Sequence, residues 1–227
     1  MFKPILDLIE EYDSIIINGH PNPDGDCYGS QVALKEVLHL TYPNKKIYIN
    51  GSGLPKFFTL LGKMDDVPDE VFERSLIIVL DGNDLKRMED KRVFNGKAFA
   101  RIDHHIELNT FTQGPQVVNE EASSTCELII DFIQECNLRM SSKAANALFL
   151  GVLTDTGRFQ FAQRYEKLFS QANWLCFQGA TPRDIYSILN ITDEVSFKIR
   201  SLFYTKYKKT DNGTVYVKFR YDDYKEF

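Results

Sequence analysis

Histidine and cysteine are both scarce in this chain, four of each in 227 residues. Cys27, Cys126, Cys136 and Cys176 are widely scattered and form no C-x-x-C pair, which excludes the paired-cysteine metal and redox motifs and leaves them to be read as small buried apolar residues. No apolar run approaches the ~18 residues of a membrane span, and no signal-peptide pattern opens the chain. A reducing cytoplasm is therefore the expected compartment, with no membrane partner. A basic excess is missing too: 27 Lys and Arg face 32 Asp and Glu, a formal charge of −5. That balance argues against a surface for long duplex nucleic acid, while a short or monomeric phosphorylated substrate stays open. There is no internal repeat and no low-complexity linker, so the length suits one good-sized domain, or one domain plus part of another.

What is present is concentrated. Three of the four histidines sit in two carboxylate-rich strings, His20-Pro-Asn-Pro-Asp24-Gly-Asp26 and Asp103-His104-His105. Each follows an apolar run that reads as a strand: Ser14 to Asn18 before the first, Lys97 to Ile102 before the second. Lys46 to Asn50, ending in Gly51-Ser-Gly53, and Ser75 to Leu80, ending in Asp81-Gly82, read as two further strands. Gly51-Ser-Gly53 is too short for a phosphate loop and reads as a strand exit. A helix is expected from Asp26 to about Leu40, with helical or loop spacers between the strands. Strands separated by crossovers imply an α/β fold, a parallel sheet flanked by helices. The second half reads as helical: after Ser124-Thr-Cys-Glu127, which has the spacing of a capping box, after Ser141, from Tyr165 to Gln178, and from Thr181-Pro182 to about Tyr207. Asp211-Asn-Gly213 then reads as a hairpin turn.

In parallel α/β sheets the functional groups collect at the carboxyl ends of the strands. The strings at His20 to Asp26, Asp81 and Asp103 to His105 should therefore meet, joined by Asp155 in Gly-Val-Leu-Thr-Asp-Thr-Gly. Mixed imidazole and carboxylate ligation suits Mn²⁺, Co²⁺, Fe²⁺ or Zn²⁺ better than Mg²⁺ or Ca²⁺, and Mn²⁺ is the first choice. The number of candidate ligands fits a pair of metals, whose use would be to neutralise charge on a phosphoryl oxygen during in-line displacement. A strand-end Asp is often a turn residue and a lone His often a satisfied surface group; His39, in the amphipathic helix with no acidic neighbour, is assigned that way.

Taken together, His20-x-x-x-Asp24-x-Asp26, Asp81, Asp103-His104-His105 and Thr154-Asp155-Thr-Gly157 resemble the four motifs of the DHH phosphoesterase family. Asp24-Gly-Asp-Cys-Tyr-Gly-Ser-Gln31, Ala122-Ser-Ser-Thr-Cys-Glu127 and Gly151 to Phe161 resemble its nanoRNase and pAp-phosphatase branch, over about residues 1 to 190. The resemblance implies that His20 and Asp24 bind a first metal, that Asp26, His104 and Asp155 bind a second, and that Asp81 bridges them. Mg²⁺ is admitted beside Mn²⁺, Co²⁺ and Fe²⁺. It implies that His105 faces the phosphate as hydrogen-bond donor or acid, with Asp103 orienting a histidine. Ser123 and Ser124, with the helix amides that follow, would either hold a phosphate or form an ordinary cap. Arg158 would either clamp a phosphate oxygen or be an exposed structural arginine. The implied activity is hydrolysis of short oligoribonucleotides, pApA among them, or of the 3′-phosphate of adenosine 3′,5′-bisphosphate. A manganese-dependent inorganic pyrophosphatase and a non-catalytic nucleotide-binding module are the alternatives, and a homodimer is left open. Members of the branch resemble two-lobed enzymes whose second domain, DHHA1, carries a Gly-Gly-Gly-His signature. This sequence has none, so residues 191–227 are expected to be a linker helix and the first hairpin of a truncated domain of that kind.

Overall fold

The computed structural model describes residues 1–82, 88–106, 113–223 and 225. Two compact units cluster separately, Met1–Ile185 and Tyr186–Phe227. In the first, the apolar runs form the strands β1 (Ser14–Asn18), β2 (Lys46–Asn50), β3 (Leu76–Leu80) and β4 (Ala98–Asp103). A fifth, β5 (Gln116–Val118), is too short and too polar to announce itself by pattern. Every pairing in this sheet is parallel and the order is β2-β1-β3-β4-β5. β1 and β3 are buried throughout, as expected of strands covered on both faces.

The helices are α1 (Lys3–Glu11), α2 (Gly25–Thr41), the short α3 (Phe58–Leu61) and α4 (Asp69–Phe72), α5 (Thr125–Glu135), α6 (Ser142–Asp155) and α7 (Tyr165–Phe177). α1 went unread in the sequence, although Pro4 in its first turn and buried Ile5 and Ile9 on one face mark it. Side-chain caps start α2, α5 and α6. Asp24 accepts from the amides of Asp26 and Cys27, and Ser141 from that of Ala144. Ser124 accepts from the Glu127 amide, and the Glu127 carboxylate reaches back to the Ser123 amide, one residue beyond the usual capping-box partner.

The continuous helix expected from residue 181 to 207 is instead two helices, α8 (Pro182–Leu189) and α9 (Glu194–Lys206). Asp193 caps α9 by accepting from the Ser196 amide, and this side-chain bond competes with an unbroken helix through Asn190-Ile-Thr. In the second unit Asp211-Asn-Gly213 does turn a hairpin, of two-residue strands β6 (Lys208–Lys209) and β7 (Val215–Tyr216), antiparallel. The cysteines divide: Cys27 and Cys126 are buried, Cys136 is half-buried and Cys176 is exposed, so the expectation of four buried thiols fails at Cys176. No helix among the described residues is long and apolar enough to cross a membrane.

α2, α5 and α6 sit unusually close. A Cβ at Gly29 would lie 2.4 Å from the Ala147 carbonyl oxygen, and one at Gly151 would lie 2.3 Å from Cys126 Sγ. Because the obstacle at Gly29 is backbone, it cannot rotate away. Gly29→Ala should cost about 1–3 kcal/mol through separation of α2 from α6. Urea unfolding would register this as a lower midpoint at unchanged slope, and an unchanged midpoint would contradict the close approach.

Candidate metal centre

The order β2-β1-β3-β4-β5 reverses between β1 and β3, and the carboxyl edge at such a switch point is where open α/β sheets form a crevice. His20 lies two residues past β1, Asp81 immediately past β3, and His104 and His105 immediately past β4. Asp24 and Asp26 begin α2, and Asp155 ends α6. Asp81 adopts the left-handed backbone conformation, φ 54°, uncommon for a residue with a side chain. It leaves the strand with its amide donating to the Ile102 carbonyl at 3.2 Å.

Asp81 is 2 % exposed and faces both histidine strings. Its Oδ2 lies 3.4 Å from His20 Nε2, and its Oδ1 lies 3.5 Å from His104 Nε2 and 3.4 Å from His105 Nδ1. His104 Nε2 also stands 3.2 Å from Asp155 Oδ2 and 3.9 Å from Asp26 Oδ2. Donor atoms within 4.8 Å of one another form three groups: His20, Cys27 and Asp81; Asp81, His104 and His105; Asp26, His104 and Asp155. Asp24 is set further out. Its Oδ1 is 4.0 Å from His20 Nε2 and is engaged by two α2 amides.

The histidine tautomers suit metal ligation. A carbonyl can only accept, so His20 Nδ1 donates to Pro21 O at 2.9 Å and His104 Nδ1 to Ala122 O at 3.3 Å. In the neutral ring each Nε2 is thereby the lone-pair atom and it faces carboxylates, the arrangement that ligating histidines adopt. His104 Nε2 is buried, and despite three neighbouring carboxylates it makes no hydrogen bond of acceptable geometry. A divalent cation would satisfy that atom, so the residues fit the metal pair that their composition suggests.

The electrostatics agree. Burial, followed by the charges of Asp81 and Asp155, raises the Asp26 carboxyl well above its ordinary value. Burial and then Asp81 also raise Asp155, against the opposing pull of His104. Asp155 closes α6 at its negative end, where a carboxylate is unfavourable without a cation. His20 is pushed up to about 9, chiefly by Asp81. Burial alone would lower His104, but Asp155, Asp26 and Asp81 outweigh it and bring it to about 9.

Around this cluster the structure separates roles that the sequence left together. Asp103 belongs to none of the three donor groups and supports one of their members instead: one oxygen takes the His105 amide at 3.0 Å and Nδ1 at 2.8 Å, the other takes Arg101 at 2.6 Å. Burial would raise Asp103, yet His105 and Arg101 hold it below the usual carboxylate range, while Asp103 raises His105. His105 therefore keeps its Nδ1 proton on Asp103.

Ser123 and Ser124 are both buried; Ser123 Oγ accepts from the Gln163 amide and Ser124 caps α5. The α5 amides considered for a phosphate are already engaged, since Asp26 accepts from Thr125 N at 2.7 Å and Cys126 N at 2.8 Å. The anion these two amides meet is the protein's own Asp26, and the Ser124 hydroxyl makes the cap that was the alternative reading of this segment. Arg158 is exposed, in a left-handed run from Gly157 to Phe159. His39 is exposed in the last turn of α2.

Three participants escaped the sequence reading. Thr125 donates through Oγ1 to Asp81 Oδ1 at 3.0 Å, Cys27 joins the His20 group, and Arg101 is fully buried beneath Asp103. Only Arg101 carried a signal, being a cation in an apolar strand two residues from an Asp, hence on the same strand face.

Fold and cluster together define a parallel α/β protein with a cation-binding donor set at its switch point. The chain belongs to the DHH family: it matches the DHH family, N-terminal domain, over residues 14–152. It is 40 % identical over 174 residues to the "Probable bifunctional oligoribonuclease and PAP phosphatase NrnA" of Streptococcus mutans serotype c, covering 77 % of this chain and 56 % of that protein. It is 31 % identical over 231 residues to the "Bifunctional oligoribonuclease and PAP phosphatase NrnA" of Bacillus subtilis, covering 100 % of this chain and 73 % of that one. The chain thus spans little more than half the length of the first relative. An exopolyphosphatase-related protein from Bacteroides fragilis shares the fold, with a TM-score of 0.81 at 23 % identity over 93 % of this chain and 66 % of its own.

Arg101 offers the cleanest test of this wiring, because removing one partner of a buried ion pair strands the other. Arg101→Met should destabilise the domain by about 3–5 kcal/mol in urea unfolding, and Arg101→Met/Asp103→Leu should recover part of that loss. A single variant as stable as the parent would contradict the pairing.

Proposed function

We propose that this chain carries a two-metal phosphoesterase centre that hydrolyses short oligoribonucleotides, pApA among them, and the 3′-phosphate of adenosine 3′,5′-bisphosphate. The observation that carries the reading is Asp81, one oxygen towards His20 and the other towards His104, the disposition a bridging carboxylate needs. The names of the S. mutans and B. subtilis relatives support the substrate class. His20 and Asp24 would hold one cation, Asp26, His104 and Asp155 the other, and Asp81 both, with Mn²⁺ the first choice. When bound, two such cations neutralise charge on the phosphoryl oxygens and lower the pKa of water for in-line attack.

The protein's own part is proton placement. With Nδ1–H held by Asp103, His105 has Nε2 left for proton exchange, and its side chain is 45 % exposed. Asp103 raises His105 above its ordinary value, so more of it is protonated near neutrality and can give the Nε2 proton to the leaving oxygen. His105→Ala should keep the metals and cut turnover by ~10²–10⁴. Asp81→Ala should lose both metals and all turnover.

The deciding experiment is Mn²⁺-dependent hydrolysis of pApA, adenosine 3′,5′-bisphosphate and pyrophosphate, with bound metal counted in the same sample. Cleavage of the first two in preference to pyrophosphate supports the reading. Two bound metals with no turnover would make the chain a binding module, and preferred cleavage of pyrophosphate would move it to the other branch.

A pH dependence follows from the histidines. Metal ligation needs neutral imidazole, while His20 and His104 reach about 9 without a cation. Mn²⁺ binding near neutrality should therefore release protons, and affinity should climb with pH until it levels above about 9. Calorimetry in buffers of differing ionisation enthalpy measures the release. Affinity that falls as pH rises from 6 to ~8 would contradict the assignment of these imidazoles as ligands.

A further inference from the structure

Cys27 stands in the centre without a role in the proposed chemistry. It is fully buried in the first turn of α2, and its Sγ belongs to the same 4.8 Å group as the donor atoms of His20 and Asp81. Among the described residues the sulfur's hydrogen-bond contacts are Gln31 Oε1 at 3.8 Å and the His20 carbonyl at 4.0 Å, both at the weak end for a thiol. The chain makes room for it, because a Cβ at Gly19 would fall 2.2 Å from Sγ. Asp24 does not join this group, and its Oδ1 is committed to the α2 amides. A second observation points to a ligand here. His20 Nδ1 is tied to Pro21 O, which leaves Nε2 as the ring atom directed at Asp81, 3.4 Å from Oδ2, in the same group as Sγ.

We infer that Cys27 is a metal ligand, making the seat beside His20 a mixed nitrogen, oxygen and sulfur site. The inference rests on the two-metal reading above and specifies one of its two seats. As the sulfur–metal bond forms, the thiol proton leaves to solvent and no oxidant or reductant is needed. A thiolate shifts preference toward softer cations, so this seat favours Zn²⁺, Co²⁺ or Fe²⁺ over Mg²⁺, whereas the seat among Asp26, His104 and Asp155 has only hard and borderline donors.

Co²⁺ reports the bond directly, since thiolate ligation gives a sulfur-to-cobalt charge-transfer band in the near ultraviolet. The full chain, Cys27→Ala and Cys126→Ala would each be loaded with Co²⁺, the bound metal counted and the spectrum recorded. Cys126 is the control because its Sγ lies 3.6 Å from the Asp26 carbonyl. The expected result is a band in the parent and in Cys126→Ala that is absent from Cys27→Ala. Cys27→Ala should also bind Cd²⁺ ~10–100-fold more weakly while its Mn²⁺ affinity changes ~3-fold or less. A parent that binds two Co²⁺ without the band overturns the inference and leaves the two-metal reading standing, and so does a band that survives Cys27→Ala. A parent that binds no Co²⁺, Mn²⁺ or Zn²⁺ overturns both. A parent without the band overturns the inference by itself, and should Cys27→Ala fail to fold, Cys27→Ser replaces it with the same expected loss of the band.

Discussion

The centre depends on one buried carboxylate that performs a structural task before any chemical one. Asp26 sits in the first turn of α2 and accepts the first two amides of α5, Thr125 and Cys126, about a hundred residues later in the chain. An ionised carboxylate without partners could not be buried there, but at the N-terminal ends of two helices each oxygen meets an N–H and a favourable dipole. Hydrogen bonds to charged groups contribute about 1.5–3 kcal/mol each. They tie the β1–α2 unit to the helical second half. α6 reaches the same point because Gly151 has no side chain to hold it off Cys126 and Asp26. Thr125, its amide on Asp26 and its hydroxyl on Asp81, then places the two carboxylates relative to each other.

A cluster of like charges needs a counterweight, and among the described residues Arg101 supplies one at the periphery. Arg101 neutralises Asp103 beneath β4, and that pair fixes His105 without entering the space among Asp81, His104, Asp26 and Asp155. Among the described residues the cations inside that space are histidines, and the carboxylates hold His20 and His104 protonated well above their ordinary value. Two protons spread over imidazoles are a poor match for several converging carboxylates. A divalent ion is a better one, and the orphaned Nε2 of His104 shows which atom gains most from the exchange.

Much of this was legible in the sequence wherever one segment carried its own evidence. β1, β3 and β4 are uninterrupted apolar runs, and a parallel sheet obliges their exits to converge, so His20, Asp81, His104 and their neighbours could be gathered without coordinates. The errors have local causes. β5 has three residues and derives its identity from β4 alone, and the break before α9 hangs on a single Asp193 cap. Residues that matter only through apposition were illegible. The string Ala122-Ser-Ser-Thr drew attention to its serines, yet Thr125 is the one that touches the carboxylates, because only the fold brings Asp26 against that helix end. The two amides that open that helix meet an aspartate from the other half of the chain, a partner no local pattern announces.

The two sides of Asp81 are not equivalent, and this asymmetry is the most specific property of the site. On the His104 side the donors are imidazole and carboxylates, and the Nε2 is sealed from solvent. On the His20 side the imidazole is 29 % exposed and its neighbour is a thiol. A cation on either side neutralises part of the shared Asp81 and so weakens the field felt by the other, while the carboxylate between them reduces their mutual repulsion. On the proposed two-metal reading, seats that share a ligand but differ in depth and softness would be neither independent nor interchangeable. The inner one would be governed by charge density, and the outer one by ligand type and by what solvent or substrate brings to it.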